Sequence, residues 1–147
     1  MEMAWTEQLS VGNEAIDSEH KKLIRLTNDV IRAIGARESS GLARAFEQLE
    51  HWLRLHFANE QKMAQAIDFD FSNHQLAHHY GLNELQFLRG LLIAKNCLWF
   101  DGAMEHFTHF LKRWMIDDHI VRMDMRMKPV LQARPYGFKF EEANSCS

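Results

Sequence analysis

The sequence predicts an all-α fold: an up-down-up-down four-helix bundle with an N-terminal arm and a C-terminal tail. Three observations predict it. Glycine and proline number only seven and two in 147 residues, too few for a turn-rich β fold. Four long segments carry apolar residues at three- and four-residue spacing. The breaks between them are short and polar, which suits antiparallel neighbours in a bundle.

The first helix is expected from about Asp17 to Ile34. Its stripe is Leu23, Ile24, Leu26, Val30, Ile31 and Ile34; Asp17, Ser18 and Glu19 suit its start and Gly35 its end. The second is expected from about Ser40 to Ala66, capped by Ser39 or Ser40, with Phe46, Leu49, Leu53, Phe57 and Ala64 on its stripe. The third runs from about Ser72, a suitable N-cap, to Lys95. The fourth runs from about Asp101 to Lys128, where Pro129 is expected to stop it. Residues 1–16 then form an arm whose Trp5 packs on the bundle, and residues 129–147 form a tail carrying Tyr136, Phe138 and Phe140. The whole chain, 1–147, reads as a single domain with its core at about 17–128.

Composition narrows the function. Apolar residues make up 46% and the net charge is -3, with acids and bases interspersed, so no nucleic-acid surface is expected. No apolar run reaches the roughly 20 residues that span a bilayer. The N-terminus, MEMAWTEQLSVGNE, lacks the basic and apolar regions of a signal peptide. Cys97 and Cys146 make neither a disulfide framework nor a metal-binding spacing. A cytoplasmic location with reduced thiols is the expectation.

Nine histidines are the compositional oddity. The stretch NHQLAHHYGL alone holds three. Residues four apart on a helix differ by only about 40° around its axis, so His74 and His78 point the same way, while His79 is turned a further 100° or so. The second helix offers His56 and Glu60 in HFANE, the first offers His20 in IDSEHKKL, and the fourth offers His119 and Asp124 in HIVRMD. Each helix supplies an imidazole and two supply a carboxylate, an arrangement from which bundles build metal sites. These donors suit iron, zinc, copper or manganese. Seven are too many for one tetrahedral ion and suggest two metals sharing bridging carboxylates. His51, His79, His106 and His109 are left to the surface. One spacing is awkward: His119 and Asp124 are five apart, about 140° on an α-helix, so a wider turn is required to pair them.

In this order and at these intervals the seven residues resemble the hemerythrin family, in particular its single-domain bacterial members. The resemblance runs from about Trp5 to Leu131. It implies a non-haem di-iron centre, oxo- or hydroxo-bridged, that binds dioxygen reversibly as a carrier, store or sensor and is not an enzyme. His74, His78 and His119 would complete one iron. His20 and His56 would bind the other, leaving it a position for dioxygen, and Glu60 and Asp124 would bridge the two. By helical spacing Ile24, Phe57, Ile116 and Ile120 lie near these residues and would form a dry wall for dioxygen. One departure stands out. The last-helix tryptophan, usually four residues before that helix's histidine, is here Trp114, five before His119, with Met115 in the usual place. Two other function classes fit the same residues: a di-iron peroxidase or oxidase, and an iron- or NO-responsive regulatory module.

Overall fold

Glu14 is the first residue of a helix because Asn13, extended and just before it, accepts a hydrogen bond from the Ile16 N–H through its side chain. The computed structural model describes residues 2–94 and 101–140. Helix α1 spans Glu14–Ala36 and ends at Arg37, which takes the left-handed conformation at φ 56°. It therefore starts three residues before the expected Asp17 and continues through Gly35. Helix α2 spans Ser39–Ala66 from Glu38. Helix α3 spans Ser72–Ala94, and the Asp70 carboxylate receives both the Ser72 N–H (3.1 Å) and its hydroxyl (2.7 Å). Asp70 thus does the capping expected of Ser72. The proposed end at Lys95 lies outside the described residues, as do Cys97 and Cys146.

The fourth helix departs from the expected uniform rod. Its first part, α4, spans Asp101–Lys112. From Arg113 to Met123 it widens into a π-helix; a 3-10 turn, Asp124–Met127, follows, and then a short helix α5, Lys128–Leu131. Pro129 does not stop the chain. It sits in the first turn of α5, where a missing N–H costs nothing.

No strand occurs among the described residues. Helix α1 packs on α2 and α4, α2 on α3, and α3 on the π-helical segment, which closes a four-helix bundle. Two apolar clusters fill it. The larger holds Leu23, Ile24, Leu53, Phe57, Met115 and Ile120 among others, with Trp5 of the arm packed against it as expected. The smaller holds Val11, Ile16, Met63, Ala64, Met127 and Leu131, with Phe138 and Phe140 of the tail packed against it. Along three of the elements the order is the same: one cluster, then a histidine or carboxylate, then the other cluster. Ile16, His20 and Leu23 show this on α1; Leu53, His56, Glu60 and Met63 show it on α2. Met115, His119, Asp124 and Met127 show it in the last segment. A polar layer thus lies between two apolar ones.

Candidate metal centre

The helical phase of each polar residue decides where it lands. His74 and His78, one turn apart, both turn inward and are buried, whereas His79 is exposed and hydrogen-bonds Asn83 at 3.3 Å. His56 and Glu60 repeat the pattern on α2. The five-residue step from His119 to Asp124 is accommodated by the π-helix. The Asp124 N–H reaches back to the His119 carbonyl, and looser winding returns residues five apart to one face. His119 Nε2 consequently lies 3.1 Å from Asp124 Oδ2. The same winding explains Trp114, five residues before His119. Its ring lies at 25° to that of His119 with centroids 6.1 Å apart.

All seven residues converge. His20 Nε2 is 2.7 Å from Asp124 Oδ2, and His56 Nε2 is 2.7 Å from Glu60 Oε2 and 3.6 Å from Asp124 Oδ2. His74 Nε2 lies 3.9 Å from Glu60 Oε1 and 3.7 Å from Asp124 Oδ1, and His78 Nε2 lies 3.6 Å from Glu60 Oε1. Each carboxylate therefore faces two ways. Glu60 offers one oxygen to His56 and the other to His74 and His78. Asp124 offers one to His74 and the other to His20, His56 and His119. His119 stands between the groups, its ring 5.2 Å from that of His56 and 5.7 Å from that of His78.

Burial makes this arrangement costly as it stands. Glu60 and Asp124 have no exposure, and the most exposed of the five imidazoles, His78, is 7% exposed. Yet the Nε2 atoms of His56, His74, His78 and His119, both Glu60 oxygens and Asp124 Oδ1 make no hydrogen bond. Buried polar atoms are normally satisfied. A set of unpartnered nitrogens and carboxylate oxygens facing one space has the chemistry of a ligand set. Donor atoms of His20, His56, Glu60, His119 and Asp124 all fall within 4.8 Å of one another. Nitrogen and carboxylate donors of this kind suit iron. The residues fit a di-iron centre.

The protonation pattern reflects the crowding. Burial, and then the nearby His56, push His20 down to about 3. Burial likewise holds His74 below and His119 well below the usual imidazole range. Burial opposes a charge on His56, but Glu60, Asp124 and Glu19 outweigh it and hold the ring protonated well above its ordinary range. Glu60 is held well below the carboxylate range: burial acts against this, and His56 overcomes it. Asp124 is raised well above its own range by burial and then by Glu60. Two carboxylates this close do not both keep a charge without a cation between them.

Reading the helix faces for ligands misses the groups behind them. His56 Nδ1 donates to the Glu19 carboxylate at 2.6 Å, and Asn59 holds the other Glu19 oxygen at 2.9 Å. A partner such as Glu19 fixes the tautomer and aims the opposite nitrogen into the site. The backbone of Met123, near the His74 ring, favours its protonated form. Glu19 adjoins His20 in sequence, a signal that helix-start reasoning absorbed. Of the expected apolar wall, Ile24, Phe57 and Ile120 are buried in the larger cluster, while Ile116 is half-buried against it. A cleft of about 330 Å³ reaches His78 and His119 from the surface, bounded by Phe57, Gly81 and Trp114; Ile116 does not line it.

A hemerythrin-like protein of Naegleria gruberi is 30% identical over 128 residues, covering 86% of this chain and 92% of that one. The chain belongs to the hemerythrin family. The bacteriohemerythrin of Pseudomonas aeruginosa strain PAO1 is 27% identical over 116 residues, 78% of this chain and 72% of its own. No family model matches. Among solved structures, the crystal structure of a hemerythrin mutant superposes with a TM-score of 0.72 at 20% identity, covering 88% of this chain and 97% of that one. This member of the family thus combines a four-helix bundle with a buried cluster of histidines and carboxylates consistent with a di-iron site. No helix among the described residues is long and apolar enough to cross a membrane.

Proposed function

We propose that His20, His56, Glu60, His74, His78, His119 and Asp124 hold two irons and that the protein binds dioxygen reversibly there, as a carrier, store or sensor. The observation that carries this reading is the convergence of seven buried donors, most without a hydrogen bond, from every helix of the bundle. When bound, the two irons supply the electrons that a neutral ligand needs to be held and then let go.

The chain's own residues do the rest. Five imidazoles and two carboxylates bring little negative charge, which favours holding dioxygen over cleaving it. The two-way placement of the Glu60 and Asp124 oxygens suits them to bridge the irons. Glu19 holds the outer nitrogen of His56, so that the site-facing nitrogen is the one a metal would meet once it displaces the proton that His56 keeps in the iron-free chain. The apolar groups of Ile24, Phe57 and Ile120 keep water and stray protons from the bound molecule, with Ile116, half-buried beside them, in a lesser part. A cytoplasmic setting with reduced thiols accords with two cysteines that lack framework spacing.

The test is iron analysis joined to a visible spectrum. The protein should carry about two irons per chain. After reduction it should develop a new absorption in air that disappears on degassing. Rapid turnover of a reducing substrate, with no reversible absorption, would instead make it a di-iron oxidase or peroxidase.

A further inference from the structure

His20 differs from His56, whose second nitrogen has a described partner. His56 is aimed by Glu19, but His20 Nδ1 is buried with no hydrogen bond. No hydrogen bond behind the ring orients it. Apart from the Asp124 oxygen that Nε2 meets at 2.7 Å, its direction follows from where the first turns of α1 stand.

Those turns are held by the C-terminal tail. Asp17, one turn before His20, has no exposure. Its carboxylate accepts from the Ser10 hydroxyl (2.5 Å), the Val11 N–H (2.9 Å) and the Tyr136 hydroxyl (2.9 Å). Two more bonds join the same places: the Glu14 N–H donates to the Tyr136 carbonyl at 2.9 Å, and the Asn13 amide donates to the Phe138 carbonyl at 2.8 Å. Gly12, at φ 84°, turns the arm into the helix where the tail crosses. A Cβ there would meet Gln132 at 3.1 Å.

We infer that Tyr136, acting through Asp17, is a positioning residue for His20 and so for the half of the centre built from His20 and His56. The inference rests on the iron-binding reading above. Tyr136→Phe removes one hydroxyl and leaves the ring, the backbone bonds and all seven donors in place. Outer partners of metal ligands are typically worth about 10–100-fold in affinity. One step further out, the lower end is expected, and on one ion only.

Full-length protein is titrated with Fe(II) without oxygen. Wild type should take up two equivalents. In Tyr136→Phe the first should bind as before and the second about 10-fold more weakly. In an Asp17→Ala background the same change should have no further effect, because the connection is already cut. Equal weakening of both equivalents, in step with a lower Tm, would make Tyr136 a purely structural residue and overturn the inference. So would two unchanged affinities. An independent readout is the imidazole NMR signals of the iron-free chain. Tyr136→Phe should split or broaden those of His20 and leave those of His74 and His78 sharp; unaltered His20 signals overturn the inference. Should wild type take up no iron, the iron-binding reading falls, and this NMR comparison still decides the role of Tyr136.

Discussion

The ring of Phe57 lies flat on that of His78, with centroids 3.7 Å apart and planes 8° from parallel. One face of Phe57 therefore supports a donor of the site, and Phe57 also lines the cleft that reaches His78 and His119. Phe57→Ala should cost roughly 3–5 kcal/mol, as for other buried phenylalanines, and should hasten decay of the oxygen-bound absorption. Ile116 is only half-buried and lies outside the cleft, so Ile116→Ala should have the smaller effect on both. Stopped-flow loading with dioxygen compares them. A faster decay in Ile116→Ala than in Phe57→Ala would return the protecting wall to Ile116.

Glu60 touches His56 with one oxygen and His74 and His78 with the other. Glu60→Ala should weaken iron binding at least as much as the 10–100-fold typical of losing an outer partner. Iron per chain after dialysis against a graded chelator reads this out. Retention of two irons at wild-type affinity would remove Glu60 from the site.

His79 adjoins His78 but is exposed, with its hydrogen bond to Asn83 and its ring edge against Tyr80, both away from the site. His79→Gln should leave iron content, the oxygenated spectrum and Tm unchanged within error. Loss of iron would show that the wrong face of α3 had been assigned to the site.

Gly81 permits the approach of Trp114. A Cβ at this position would stand 2.7 Å from Trp114 Cζ2 and 2.8 Å from Nε1. On an open helix surface Gly→Ala stabilises by up to about 1 kcal/mol. Here overpacking, typically about 1–3 kcal/mol, should win. Gly81→Ala is expected to lower the urea midpoint and to loosen Trp114 from His119. A raised midpoint would mean that the indole swings aside freely and is not held there by packing.

Iron-free protein should lose stability in mild acid. His20 titrates near 3 when folded and near 6.5 when unfolded, so the unfolded chain takes up the proton first. The contribution of its neutral form is complete above pH 6.5 and declines as pH falls toward 3, by about 1.4 kcal/mol per unit for one group. His74, His119 and Glu60 act in the same direction; His56 and Asp124, whose values are raised, act oppositely. Thermal unfolding between pH 7 and 4 measures the balance. A Tm that is flat or rises toward pH 4 would show that the protonated forms of His56 and Asp124 dominate.

The bundle and the converging histidines were legible because both depend on helical phase, which a sequence displays directly. What was not legible depends on contacts distant in sequence. Asp17 has the composition of a helix start, but its carboxylate is engaged by Ser10, Val11 and Tyr136, and Asn13 caps instead. Asp70 takes over from Ser72 for a local reason: two residues upstream, it reaches the first free N–H. The misfit of Trp114 and the misfit of His119 with Asp124 have one cause. Both assumed α-helical winding where the chain winds as a π-helix. Two five-residue spacings in one helix were the available signal. The support that Glu19 gives to His56 was hidden because its partner lies 37 residues away.

The π-helical stretch also limits how the chain can change length. The donors His20, His56, Glu60, His74 and His78 sit on regular α-helix, where a substitution leaves neighbours in phase. Between Arg113 and Met123 the phase itself is the functional quantity. Adding one residue between His119 and Asp124 would leave a six-residue step, which the wide turn does not absorb. It would turn everything after the insertion by about 100° relative to everything before it. Met127 and Leu131 would leave the smaller cluster, and the tail that meets Asp17 would start from the wrong side of the bundle. The wide turn is thus a register mark. It sets the length of the last helix by joining the site on one side to the closing tail on the other.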